Sequence, residues 1–177
     1  MRAKKVYENY CSKTLLRYLS LFSLKNLPIL DAPCGYGRNT FLFLKEGYTV
    51  VGVDIDKGAL EFIDSSENIS LESKVRLKLI NKDLLSDLSF PDAYFGGVIN
   101  VHFYNKKLLG LLSKALAKNG LLFIETPGNQ GDNFVDLPFK NEILSILANN
   151  FDFIHYFEIP SKKDETKVSV KCLAKKK

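Results

Sequence analysis

Residues 28–38, Pro28-Ile-Leu-Asp-Ala-Pro-Cys-Gly-Tyr-Gly-Arg38, decide the fold of this chain. An apolar run ends on Asp31, a turn built on Cys34, Gly35, Tyr36 and Gly37 follows, and the segment after it has helical character. A second apolar run, Tyr48 to Val53, ends on another acid, Asp54. Strand, tight turn, helix, strand and acid make one βαβ unit with a ligand site at its strand ends. The two acids narrow the choice of ligand. Asp54 closes the second strand, where a carboxylate can accept both hydroxyl protons of a ribose. Asp31 stands just before the glycine turn, where a pyrophosphate would be repelled. A ligand with a ribose and a cationic group but no phosphate suits both, and S-adenosylmethionine is such a ligand.

Outward from this unit the elements keep alternating. Residues 28–32 predict the first strand, 37–46 a helix ended by Gly47 at the C′ position, and 48–54 the second strand. Asp56 is placed to cap a helix over 57–66. The alternating run 75–81 predicts a third strand. The apolar run 93–101 predicts a buried fourth, whose Gly96 and Gly97 allow close packing. A helix over 106–120, closed by Asn119 and Gly120, leads to a fifth strand over 121–126 that Pro127 stops. Toward the N-terminus, Val6, Tyr10, Leu15, Leu19 and Phe22 recur at mostly helical spacing and predict an amphipathic helix over 3–24.

Past Pro127 the pattern changes. Residues 128–138 read as a polar loop and 139–150 as a helix. Residues 151–160 and 165–175 are two strands with only a short polar connection, which predicts an antiparallel hairpin. Five alternating strands and a hairpin describe an α/β fold: a mixed seven-stranded sheet with helices on both faces. No repeat or linker interrupts residues 1–177, so one domain is expected.

The chain has 177 residues, enough for a sizeable core, and 46% of them are hydrophobic. No apolar run approaches the ~18 residues of a membrane span. The N-terminus lacks the uninterrupted apolar stretch of a signal peptide. Cys11, Cys34 and Cys172 are isolated, which speaks against a disulfide framework and for a cytoplasmic location. With two histidines no metal site is expected. The net charge is +5. It admits a nucleic-acid partner, but the basic residues are dispersed, and a lysine-rich solvated surface is the simpler reading.

The whole chain resembles the class I S-adenosylmethionine-dependent methyltransferases, and within them small single-domain members of the tellurite-resistance type. Leu30-Asp-Ala-Pro-Cys-Gly-Tyr-Gly-Arg38 is similar to the family's first motif, with Pro33 in place of its first glycine. Val50-Val-Gly-Val-Asp-Ile-Asp56 resembles the second-strand motif. Asn81-Lys-Asp-Leu-Leu85 matches the adenine-holding position, and Lys118-Asn-Gly-Leu-Leu-Phe-Ile-Glu-Thr-Pro127 the turn into the fifth strand. The Arg38-Asn39 pair and the Phe139-Lys140 segment are further points of likeness. The resemblance implies a Rossmann-like sheet of order 3-2-1-4-5-7-6 with strand 7 antiparallel. It implies a lid at 1–26, a donor-binding core at 27–126, and a loop, helix and hairpin at 127–177.

It also implies site residues. Asp31, Pro33, Cys34, Gly35 and Gly37 would surround the methionine portion of S-adenosyl-L-methionine, the glycines because a Cβ would clash there. Asp54 would bind the ribose, Ile55 would pack on the adenine, and Asp83 and Leu84 would hold its edge. Asn100 and Val101, at the end of strand four, would complete the donor site. Asp54 could instead cap a helix, and Asp83 could be an ordinary loop acid. Cys34 as a nucleophile is disfavoured, since it sits beside a turn with no histidine near it in sequence.

Acceptors of this family meet the donor methyl near the end of strand four. His102 and Tyr104 are therefore the candidate catalytic residues, His102 standing equally well as a structural histidine. Tyr10, Tyr36 and Glu125 are further pocket candidates, whereas His155 belongs to strand six. The expected reaction is in-line methyl transfer to a small-molecule acceptor, leaving S-adenosyl-L-homocysteine. An RNA or protein methyltransferase and a non-catalytic S-adenosylmethionine-binding protein are the alternatives. A nicotinamide dinucleotide is disfavoured, because Gly35-x-Gly37-x-x-Thr40 lacks the third glycine and Asp31 would face the phosphates.

Overall fold

The computed structural model describes residues 11–177 apart from 68, 87, 129–136 and 162–163, with the backbone alone described at 161 and 164–167. Seven strands form one sheet: β1 Ile29–Asp31, β2 Val50–Asp54, β3 Leu77–Asn81, β4 Phe95–Val101, β5 Leu116–Gly128, β6 Phe151–Ser161 and β7 Asp164–Lys176. Their order is β3-β2-β1-β4-β5-β7-β6. The first five run parallel, and β7 lies antiparallel between β5 and β6. The helices are α1 Lys13–Arg17, α2 Arg38–Lys45, α3 Lys57–Asp64, α4 Leu71–Val75, α5 Lys106–Ala115 and α6 Glu142–Leu147, with a 3-10 turn at Leu19–Leu21. This is the mixed seven-stranded sheet that the residue pattern predicts, in the Rossmann-like order that the resemblance implies.

Two apolar clusters flank the sheet. On one face, Leu15 of α1, Phe43 and Leu44 of α2 and Leu60 and Ile63 of α3 pack on Ile29, Val50, Ile99 and Phe123. On the other, Leu108, Leu109 and Leu112 of α5 and Ile143 and Leu147 of α6 pack on Leu30, Val98, Leu122 and Ile124. Alternate residues of each strand feed opposite faces, and both faces are covered, so β1, β2 and β4 are buried throughout. Each fully buried leucine or phenylalanine contributes about 1.5–3 kcal/mol. Gly96 and Gly97 pack as expected, for a Cβ on Gly96 would meet the Leu24 carbonyl oxygen at 2.8 Å and one on Gly97 would meet Ile29 at 2.7 Å.

Four expectations are corrected. The helix predicted over 3–24 is broken within its described part. Ser12 has non-helical backbone, ψ 124, and caps α1 by accepting the Leu15 N–H, and α1 ends at Arg17 before the 3-10 turn. Val6 and Tyr10 lie outside the described residues, as does most of the polar loop 128–138. The helix predicted to reach Gly120 stops at Ala115. Its terminal carbonyls are met from far along the chain: Lys176 Nζ donates to Ser113 O at 2.8 Å and to Leu116 O at 2.6 Å. A cation at a helix C-terminus is a favourable end, and no local signal announces it. Strand five accordingly starts at Leu116 and takes in Asn119, at φ 64, as an irregularity. Nor does Pro127 stop β5, which pairs with β7 through Gly128. Pairing with β4 ends at Glu125, and a strand with one open side tolerates proline. Finally, Val75 ends α4 instead of starting β3.

Candidate functional site

β1 sits between β2 and β4, so the strand order reverses beside it and a crevice opens at the C-terminal ends. The loop after β1 lines that crevice and is pinned by both neighbours. Ala32 N–H donates to Ile99 O and Cys34 N–H to Val53 O, both at 2.9 Å. Asn100 Nδ2 donates to Ala32 O at 2.7 Å, and Gly35 N–H to Asp54 Oδ2 at 2.7 Å.

The two glycines differ. Both have left-handed backbone, φ +49 at Gly35 and +80 at Gly37, which favours glycine. A Cβ on Gly35 would meet nothing within 4 Å, so the space above it is open. A Cβ on Gly37 would lie 2.8 Å from Ile63 Cγ1. Gly37 is thus required by the packing of α3 on the loop, and the close approach expected of both glycines is available at Gly35.

Asp31 is fully buried. Its Oδ2 accepts from Thr40 Oγ1 at 2.7 Å, while Oδ1 has no hydrogen-bond partner among the described residues. Burial raises its pKa to about 7, against the opposing pull of Thr40, Arg38 and Asn39. A buried acceptor left unpartnered is costly, and a cationic donor would relieve it. Asn39 Oδ1 is a second unpartnered buried oxygen on the same helix turn. Cys34 is buried, and desolvation followed by the charges of Asp31 and Asp54 raises its thiol far above the ordinary range. That environment disfavours the thiolate a nucleophile needs.

Asp54 is 7% exposed. Besides Gly35, its carboxylate accepts Asp56 N–H through Oδ1 at 2.9 Å. It therefore holds the glycine loop and the following turn, and each oxygen keeps a lone pair. The helix cap belongs to Asp56, whose Oδ1 accepts Ala59 N–H at 3.2 Å. Ile55 is 67% exposed at the crevice edge, and Asn81 Nδ2 fixes the Ile55 carbonyl at 2.8 Å. Asp83 is exposed and accepts Leu85 N–H at 2.8 Å. Leu84 packs into the core, whereas Leu85 stands exposed. Tyr36 is 41% exposed, its ring edge-on to Phe62.

At the end of β4, Val101 is buried and His102 is exposed in the left-handed region, φ 59, its N–H donating to Glu125 O at 2.7 Å. Partial burial lowers the imidazole pKa, Arg38 and Lys171 adding to the effect and Glu125 opposing it. Tyr104 is buried. It belongs to the cluster that includes residues of α5 and α6, its hydroxyl is buried without a hydrogen-bond partner among the described residues, and burial beside Glu142 raises its pKa. His155 lies on β6 as expected and meets Tyr18 Oη at 3.1 Å. Tyr10 lies outside the described residues.

Residues that sequence reasoning missed are Ser12, Thr40 and Lys171. Thr40 carried a signal, one helical turn after the glycine loop. Ser12 was hidden inside an uninterrupted helical pattern, and Lys171 is one lysine among many. Among the described residues, no group of three or more His, Cys, Asp or Glu could hold a metal, and no helix is long and apolar enough to cross a membrane.

The family described as a methyltransferase domain matches residues 29–120. No curated protein matches the chain. Among solved structures, TehB from Haemophilus influenzae superposes with a TM-score of 0.76 at 17% identity, covering 99% of this chain and 65% of that one. This chain thus spans less than two thirds of that relative. Geranyl diphosphate C-methyltransferase from Streptomyces coelicolor A3(2), in complex with Mg2+, geranyl diphosphate and S-adenosyl-L-homocysteine, gives 0.77 at 14% identity, covering 94% and 80%. The [4+2]-cyclase SpnF gives 0.66 at 12% identity, covering 85% and 75%. At these identities the likeness is one of fold.

Proposed function

The chain belongs to the methyltransferase-domain family, and from that premise we propose that it transfers a methyl group from S-adenosyl-L-methionine to a small-molecule acceptor. The observation that carries the choice of donor is Asp31: a fully buried carboxylate with one oxygen unpartnered among the described residues, at the end of the strand that leads into the loop with open space over Gly35. Such a site accepts an ammonium and rejects a pyrophosphate. The residues present fit this donor. Asp31 takes the ammonium, the Gly35 backbone leaves room for the methionine chain, and the remaining lone pairs of Asp54 take the ribose hydroxyls. Ile55 packs on the adenine and Asp83 accepts its amino proton. Asn100 and Pro33 act through the loop they hold in shape.

When bound, the donor supplies a sulfonium methyl group, an electrophile that needs no activation by the protein. The chain's own work is to orient the acceptor for in-line displacement and exclude water. His102 stands ready in its neutral form to take a proton from an amine or hydroxyl acceptor; a thiolate needs no base. The donor half is assigned to residues 27–126, with residues 1–26 and 127–177 bounding the acceptor side of one domain.

Calorimetric titration with S-adenosyl-L-homocysteine tests the donor, with NADH as the control. The expected result is saturable binding of the first and poor binding of the second. Tight NADH binding with no response to S-adenosyl-L-homocysteine would mean that the wrong nucleotide was chosen. A screen of radiolabelled donor against thiols, chalcogen oxyanions, amines, phenols and transfer RNA then identifies the acceptor class. Salt-sensitive methylation of transfer RNA would replace the small molecule with a nucleic acid.

A further inference from the structure

Three polar contacts fasten the N-terminal segment 11–18 to the sheet. Ser12 Oγ donates to Glu125 Oε2. Glu125 Oε1 pairs with Lys171 Nζ at 3.0 Å, and the same ammonium donates to Thr14 Oγ1 at 3.3 Å. Tyr18 Oη meets His155 Nδ1 at 3.1 Å. Ser12 Oγ is also the N-cap acceptor for Leu15 N–H, so one hydroxyl couples the start of α1 to β5. The Glu125 carbonyl meanwhile accepts the N–H of His102. One residue of β5 thereby joins the N-terminal segment, β7 and the end of β4. Ser12 is 7% exposed and the Glu125 side chain 18%, so these contacts are shielded from water. The Arg38 charge lowers the pKa of Asp31, His102 and Cys11 alike.

We infer that Glu125 is a positioning residue: it clamps residues 11–14 against β5 and β7 as the wall of the acceptor entrance beside His102. The word acceptor rests on the methyl-transfer reading; the clamp itself does not. Leu15, fully buried, anchors the middle of the segment independently. Loss of the carboxylate therefore frees the start of the segment and leaves its body in place. Glutamine keeps an acceptor for Ser12 but gives up both the charge and the acceptor that face Lys171, whose ammonium still donates to Thr14.

Cys11 is the natural probe, half-buried at the start of the segment, and the buried Cys34 and Cys172 report global opening. Labelling by iodoacetamide is followed by mass spectrometry. Glu125→Ala and Ser12→Ala are each expected to speed Cys11 labelling by roughly tenfold or more, the opening released by losing a hydrogen bond to a charged acceptor. Cys34 and Cys172 stay slow, and Glu125→Gln stays close to the unmodified protein. Saturating S-adenosyl-L-homocysteine slows Cys11 labelling in the unmodified protein and in Glu125→Gln but not in Glu125→Ala, an effect that a purely structural role does not produce. Unchanged Cys11 labelling in the folded variants overturns the clamp. So does labelling of all three cysteines rising together in both alanine variants. Persistent ligand protection in Glu125→Ala overturns the wall. Failure of S-adenosyl-L-homocysteine to bind at all removes the methyl-transfer reading, while the Ser12→Ala comparison still decides the clamp.

Discussion

Donor affinity should rise with pH across neutrality, and Asp31 should be the cause. In the free protein its carboxyl has a pKa of about 7, because burial outweighs the hydrogen bonds and the Arg38 charge that pull it down. A bound ammonium requires the carboxylate and holds it ionised. At pH 5.5 only about 3% of the free protein is ready, so binding is about thirtyfold weaker than on the alkaline plateau, or ~2 kcal/mol. The same burial acts on folding. The folded pKa lies above the unfolded value of 3.8, so the protonated acid favours the fold. That contribution is fully present below about pH 4 and is lost as pH rises through 7, by about 4 kcal/mol at most. The assay is calorimetry with S-adenosyl-L-homocysteine from pH 5.5 to 7.5 in two buffers of different ionisation enthalpy. The expected signature is a proton released on binding at acid pH, together with a thermal midpoint of the free protein that falls over the same range. Asp31→Asn should flatten both profiles and weaken binding at pH 7.5. A flat affinity profile in the unmodified protein, or an unchanged slope in Asp31→Asn, would refute the assignment of the ammonium to this carboxylate.

Three further outcomes follow from the geometry. Asp54→Ala should weaken S-adenosyl-L-homocysteine binding by roughly ten- to a hundredfold and, because Gly35 and Asp56 N–H lose their acceptor, should also lower the thermal midpoint; intact stability with unchanged affinity would reject both roles. Gly37→Val should destabilise the protein even without ligand, since the side chain strikes Ile63 and the backbone is left-handed, whereas Gly35→Val meets no neighbouring atom and should lower the thermal midpoint less, through the strain of its left-handed backbone alone, while also weakening binding; thermal melts and titrations compare the two. His102→Ala should reduce turnover by about 10²–10⁴-fold on an amine or hydroxyl acceptor and far less on a thiolate; in the unmodified protein the acid limb of that rate profile should lie below the ordinary histidine range, because the imidazole pKa is lowered.

Sequence by itself determined the frame. The run from Pro28 to Asp54 carries its own strand, turn, helix and strand signals, and glycine turns and apolar periodicity are local properties of the chain. The same locality made Asp31, Gly35 and Asp54 legible, and the end of β4 with His102. Only the tertiary structure decided what ends α5, because the Lys176 ammonium arrives from the last strand. It also decided that Tyr104 faces the α5 and α6 core, that Gly37 answers to Ile63, and that Ser12 breaks the N-terminal helix while bonded to Glu125. The Lys176, Ile63 and Glu125 contacts, and the place of Tyr104 against α6, join residues far apart along the chain. Periodicity and turn chemistry act over a few residues, whereas burial, ion pairing and the loss of an unpartnered oxygen's water depend on what the folded sheet brings alongside.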